Sequence, residues 1–196
     1  MAQRKSGYEP VPNNLFLTPD WPTDVLFELE RFPPGSFLEP GAGDHGMRAR
    51  IEFHVKQSVE WCEITQGRDF FDVEPGSHRT IIGNPPYSNG LAVRFVEHAL
   101  AVTKPVCGKV AMLLPHAFDT ATERPHLFAG RPFAAKHVLT DRIRWRNLPQ
   151  KDAGPSGNHA WCIWDWAHRG PAITTYVYGA DPVAAAKRRA RAKVPA

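Results

Sequence analysis

Apolar residues in this chain fall into short runs of strand length, separated by stretches with helical spacing. Residues 91–102 carry apolar side chains three and four apart and read as a helix, whereas 59–64 alternate like a half-buried strand. Residues 110–114, Val-Ala-Met-Leu-Leu, form a near-continuous apolar run, which fits a strand buried on both faces. Further strands are predicted at 36–40, 80–83, near 136–143 and at 159–166, with an edge strand at 173–178. Asp69-Phe70-Phe71 marks one more strand end. Thr18 is placed to cap a helix running to about Arg31, with Pro19 in its first helical position and Asp20 in its first turn. Other helices are predicted from the glycine-rich loop to about Val55 and near 121–129.

Strands alternating with helices predict a parallel α/β sheet. Ligands of such sheets bind at the carboxyl ends of the strands, where the winding direction reverses. The loops after residues 39 and 83 are expected to be neighbours there, sharing one site. With 196 residues, the chain suits one folded unit. The expected division is an arm over 1–16, one domain over 17–180 and a basic tail over 181–196.

Composition refines this picture modestly. Hydrophobic content of 42% and charged content of 22% are ordinary for a globular protein, and 19 prolines imply many fixed loops. No apolar run approaches the roughly 20 residues of a membrane span. The first residues lack the apolar segment of a secretory signal, so a cytoplasmic location is expected. Cys62, Cys107 and Cys162 are odd in number and far apart, which fits buried core residues better than disulfides. The nine histidines show no metal-binding spacing, so no metal is expected. The positive net charge comes from residues 187–196 of the tail, where Lys187, Arg188, Arg189, Arg191 and Lys193 stand without an acid. That tail offers a phosphate contact without sequence preference.

The most informative residues are Asn84-Pro85-Pro86-Tyr87, which follow the apolar run Ile81-Ile82-Gly83. Prolines fix φ and donate no hydrogen bond, so Pro85 and Pro86 stiffen the loop and leave its carbonyls available. Asn84 offers an amide oxygen, the Pro85 peptide a carbonyl oxygen and Tyr87 a flat ring. Two acceptors beside a stacking surface suit the exocyclic amine of a planar base.

With the loop Glu39-Pro40-Gly41-Ala42-Gly43 upstream, the ordered motifs over residues 17–166 resemble class I S-adenosylmethionine-dependent methyltransferases. They are most similar to the amino-group DNA methyltransferases that modify N6 of adenine, including small phage-encoded ones. The resemblance implies a Rossmann-like fold with a mostly parallel seven-stranded sheet and helices on both faces. It implies S-adenosylmethionine as cofactor, with Glu39, Pro40, Gly41, Ala42 and Gly43 forming the cofactor loop. Glu63 would hold the ribose, with Glu60 as competitor, and Asp69 and Phe70 the cofactor adenine, with Phe71 adjacent. Thr18 and Pro19 resemble the element closing over the methionine end, a reading no better than a plain helix cap. Where the family usually has glycine, this chain has His45.

The resemblance assigns catalysis to Asn84, Pro85, Pro86 and Tyr87. Hydrogen bonds from the amine to Asn84 and to the Pro85 carbonyl favour a pyramidal nitrogen with a localised lone pair, and they strengthen in the transition state. The methyl passes directly to nitrogen with the base flipped out and Tyr87 stacked on it. Trp145 and His159 are candidate second stacking partners, and the loop 150–159 is expected to close over the base. Cytosine C5 chemistry needs a Pro-Cys nucleophile, and Pro105-Val106-Cys107 does not supply one. DNA is the expected partner, with Arg131, Arg142, Arg144 and Arg146 as candidate phosphate contacts. RNA base amines, or nucleic-acid binding by an inactive methyltransferase fold, are the alternatives.

Overall fold

The computed structural model describes residues 16–130, 132–147, 157–183 and 185. The basic tail from 187, Arg131, most of the 150–159 loop and most of the N-terminal arm lie outside those residues.

Seven strands form one sheet: β1 (Phe37–Pro40), β2 (Glu60–Cys62), β3 (Thr80–Gly83), β4 (Lys109–Pro115), β5 (Phe133–Leu139), β6 (His159–Asp165) and β7 (Ile173–Val177). Their order across the sheet is β2-β1-β3-β4-β6-β5-β7. Every neighbouring pair is parallel except the two that involve β6. The sheet is therefore mixed, with a single antiparallel strand inside it.

Helices cover both faces. On one lie α1 (Asp20–Leu29) and α2 (Gly46–Val55), and on the other α3 (Leu91–Thr103). Successive strand residues point to opposite faces, and the central strands share their side chains accordingly. Ile82, Leu113 and Trp161 pack with Val25, Leu26 and Ile51 beneath the first pair of helices. Ile81, Met112 and Cys162 pack with Val96 and Ala99 beneath α3. The short helix α4 (Pro125–Phe128) abuts this second layer, and its Leu127 carbonyl accepts the Trp164 indole proton at 2.7 Å.

Several boundaries differ from expectation, for local reasons. Residues 69–71 are not a strand end: Phe70–Asp72 forms a tight 3-10 turn, and Asp69 Oδ1 accepts from the Phe71 amide at 2.9 Å. A carboxylate bonded to its own backbone competes with a strand ladder, so the strand before Asn84 is third in the chain rather than fourth. Thr18 does not cap α1. Pro19 precedes the first helical residue, and no side chain among the described residues caps that end. The predicted strand near 136–143 is shifted to Phe133–Leu139. It ends where Asn158 Nδ2 donates to the carbonyls of Leu139 and Thr140. Cys62 and Cys162 are buried as expected, but Cys107 is exposed.

The opposite end of the sheet is fastened by charge. Glu30, just past α1, accepts from Lys109 Nζ at 2.5 Å and lies 2.8 Å from His137 Nε2. Lys109 also donates to the Arg31 carbonyl at 3.0 Å and lies 3.6 Å from Asp165. Burial pushes the Glu30 carboxyl upward, but hydrogen bonds from His137 and Lys109 outweigh it and hold the group below its ordinary value. A depressed carboxyl stabilises the fold above its unfolded value, and that contribution disappears as pH falls through the folded one. Glu30→Gln is expected to cost about 2 kcal/mol at pH 7, because it takes the nearest countercharge from a buried ammonium and leaves it to Asp165 at 3.6 Å. Urea unfolding at pH 7 and at pH 4 checks this: the gap between parent and variant should narrow on acidification, and an equal gap at both values contradicts the assignment.

Candidate functional site

The carboxyl ends of β1, β2 and β3 lie side by side, with Leu38 paired to Ile81 and Pro40 to Cys62. Gly83 makes the closest join. A Cβ there would stand 2.7 Å from Pro40 Cδ, so only glycine lets the proline ring lie against the strand that delivers Asn84. The loop after β1 then crosses over β2. Its Ala42 amide donates to the Cys62 carbonyl at 2.9 Å, and its Gly43 amide to Glu63 Oε2 at 2.9 Å.

These strand ends, with the start of α3 and residues 16–18, enclose a cavity of about 470 Å³. That size is ordinary for a small-molecule site. Of the residues expected to bind a cofactor, Thr18, Glu39, Pro40, Gly41, Ala42, Gly43, Glu63, Asp69 and Phe70 line it; of the expected catalytic residues, Asn84 and Pro86 do. Pro19, Pro85 and Tyr87 are not part of the lining.

Glu39 is the outlier in chemistry. It is 2% exposed, and its Oε2 has no hydrogen-bond partner among the described residues. Burial pushes its carboxyl up to about 8, while a bond from the Arg48 amide near the start of α2 draws it down and Asp44 adds repulsion. A buried carboxyl with one oxygen unpartnered, on a residue that lines a cavity, suits a cationic or donor group. The α-amino group and sulfonium of S-adenosylmethionine answer to that description, so the residues present fit this cofactor.

Glu63 is different. Its Oε1 accepts from the Thr65 amide at 3.1 Å and the Thr65 hydroxyl at 2.7 Å. Burial opposes ionisation, but these bonds and the Gly43 amide overcome it, leaving the carboxyl below its ordinary value. Glu63 is thus an ionised brace for the glycine loop. Its rival Glu60 is exposed, lies 3.3 Å from His78 and is absent from the cavity wall.

Phe70 is 3% exposed and packs on Phe95, whereas Phe71 lines the cavity while partly buried, with the Arg94 guanidinium 4.5 Å from its ring centre. Both phenylalanines border the space, and Phe71 is the more open. His45 adopts a left-handed backbone at φ 63°, the conformation glycine favours. Its ring turns towards Trp61 and Gln66 and leaves the cavity clear.

Asn84 is held at both ends. Its Nδ2 donates to the Phe16 carbonyl and to Thr18 Oγ1, each at 3.1 Å, and its Oδ1 accepts from the Tyr87 hydroxyl. Burial pushes the Tyr87 phenol far above its ordinary value, so it stays protonated. The Tyr87 ring is not an open stacking surface: Phe16 lies over it at 6.0 Å between centres and 24° between planes. Trp145 and His159 complete a group of four rings, with Phe16–Trp145 centres 5.3 Å apart and Tyr87–His159 centres 5.8 Å apart.

Of the arginines proposed for phosphate, the three among the described residues are already engaged. Arg146 pairs with Asp44 at 2.6 Å and Arg144 lies 3.8 Å from Asp181, while Arg142 also has a partner. The sequence reading missed Phe16, Leu17, Thr65, Arg68, Leu91, Arg94 and Phe95 as cavity residues. The last three stand three and four apart at the start of α3, a spacing that marks one helix face. No group of three or more His, Cys, Asp or Glu among the described residues is arranged to hold a metal, and no described helix is long and apolar enough to cross a membrane.

The Glu39 carboxyl yields a prediction of its own. Its folded value of about 8 stands above the unfolded value near 4.5, so the fold loses stability as pH rises between them. Glu39→Gln removes that loss. Without added ligand, the variant is expected to melt above the parent at pH 8, with the difference closing towards pH 5. A difference that is independent of pH, or larger at pH 5, contradicts the assignment.

No family model matches the chain, and neither does any curated protein. Solved structures do. One is a candidate class I S-adenosylmethionine-dependent methyltransferase from Listeria monocytogenes, with a TM-score of 0.59 and 15% identity, over 95% of this chain and 73% of that one. Another is the methyltransferase subunit of a type I restriction-modification system from Streptococcus thermophilus, with a TM-score of 0.55 and 16% identity. The match covers 86% of this chain but only 46% of that subunit. On this likeness, and on its seven-stranded sheet covered on both faces, the chain has the Rossmann-like class I methyltransferase fold.

Proposed function

We propose that this protein transfers a methyl group from S-adenosylmethionine to the exocyclic N6 amine of adenine in DNA. The observation that carries the proposal is the placement of Asn84 on the wall of the cavity that Glu39, with one oxygen unpartnered, also lines. The fold supports the methyltransferase part. The neighbour that is a restriction-modification subunit supports DNA as the substrate.

When bound, the cofactor supplies an electrophilic methyl carbon on a sulfonium. Glu39 would face its cationic part, Gly41 and Gly43 would let the backbone approach, and Asp69 and Phe71 would border its adenine. Asn84 Oδ1 would act on the substrate amine from the cavity wall, with the Pro85 carbonyl, outside the lining of the free protein, brought to it as the base enters. Accepting its two protons concentrates the lone pair on nitrogen, and the bonds tighten as positive charge develops there. The N–CH₃ bond would form as the S–CH₃ bond breaks, leaving a neutral thioether, and one amine proton would pass to water, so the product is a neutral secondary amine. A flipped base would stack on the Tyr87 face that Phe16 covers, which makes displacement of the Phe16 ring, with its backbone carbonyl kept on Asn84, part of base entry. The basic tail would add phosphate contacts.

The test is to incubate the full chain with labelled cofactor and either DNA or RNA, digest the nucleic acid and identify the product by mass spectrometry. N6-methyldeoxyadenosine is the expected product. A methylated ribonucleoside, or no methylated nucleoside, contradicts the DNA assignment. Asn84→Ala should reduce turnover at least about a hundredfold while calorimetry still shows cofactor binding. Near-normal turnover by that variant would remove Asn84 from the mechanism.

A further inference from the structure

A carboxamide has an acceptor end and a donor end, and only the acceptor end serves an amine. If the Asn84 amide were reversed, its NH₂ would face the substrate nitrogen and oppose it. Something must therefore fix which way round the group stands.

The neighbours of Asn84 supply that constraint. The Phe16 carbonyl can only accept, so it requires Nδ2 rather than Oδ1 at 3.1 Å. Thr18 Oγ1 accepts the second proton at 3.1 Å. The Tyr87 hydroxyl, which also lies 3.1 Å from the Leu113 carbonyl, places its single proton on Oδ1 once Nδ2 is committed to Phe16, leaving that oxygen one lone pair for a substrate. Thr18 is only 6% exposed, and α1 has no side-chain cap, so its hydroxyl is not spent on the helix.

We propose that Thr18 is a positioning residue for Asn84, anchoring the amide in the orientation that the Phe16 carbonyl selects, with its oxygen left for the substrate amine. This inference rests on the reading of Asn84 as the amine acceptor. It departs from the family-based expectation that Thr18 serves the methionine end of the cofactor. Thr18 lines the cavity, so both roles are open to its side chain, and the two predict different kinetics.

The experiment compares Thr18→Val, nearly isosteric but without a hydroxyl, and Thr18→Ser with the parent full-length chain. Three quantities are measured: kcat on adenine-containing DNA at saturating cofactor, the Kd for S-adenosylmethionine by calorimetry, and hydrogen exchange of the Asn84 side-chain NH₂ by NMR. The NH₂ signals are identified by their loss in Asn84→Asp. Thr18→Val is expected to lower kcat about tenfold, the value of one hydrogen bond, with Kd within about threefold of the parent. Its Asn84 NH₂ protons should exchange faster, and Thr18→Ser should restore both kcat and protection. Unchanged exchange in Thr18→Val overturns the proposal. So does a raised Kd with kcat intact, which returns Thr18 to the cofactor. If the parent methylates no nucleic acid, the adenine reading fails, and exchange alone then decides whether Thr18 holds Asn84.

Discussion

The site depends on one close approach, that of the Pro40 ring to Gly83. These residues end adjacent parallel strands, and the space between them has no room for a Cβ. The approach brings the loop that carries Glu39, Gly41 and Gly43 to the loop that carries Asn84 and Pro86. A larger residue at 83 would part the two strand ends and separate the candidate donor-binding and acceptor-binding halves. The strand pairing supplies the adjacency, and the glycine sets how close it becomes.

Two carboxylates of the same loop region are held in opposite states by their surroundings. Glu63 receives three donors and is an ionised brace. Glu39, deeper and with an unpartnered oxygen, holds its proton to about pH 8. A buried group that lowers stability in the free protein persists where it serves a ligand. Isolating such a carboxyl costs folding free energy, and a cationic ligand would recover part of it.

Much of this was legible from the sequence because the motifs are contiguous and their elements strongly patterned. The apolar run at 110–114 and the helical spacing at 91–102 predicted central elements whose cores are 0% exposed at Val110, Met112 and Val96. The glycine loop named five residues of the cavity wall, Glu39 to Gly43, and the later motif two, Asn84 and Pro86. What the sequence hid is long-range. Thr18 looks like a helix cap because Pro19 and Asp20 follow it, yet its hydroxyl meets Asn84, 66 positions away. Phe16 gave no local signal, and its place on Tyr87 arises only from tertiary packing. Asp69 turned an expected strand end into a tight turn through a bond within its own segment. The antiparallel insertion of β6 is likewise invisible to periodicity, which gives strand faces but not their direction.

The central claim is that this cavity seats a sulfonium methyl donor in front of Asn84. A crystal structure of the protein with S-adenosylhomocysteine tests it most directly. The account predicts the amino group or sulfur edge against Glu39, with the sulfur facing Asn84 across a gap. That gap should hold one methyl group and an incoming nitrogen about 3–3.5 Å from it. Homocysteine density elsewhere on the protein, or a sulfur turned away from Asn84 with Glu39 still unpartnered, would contradict it.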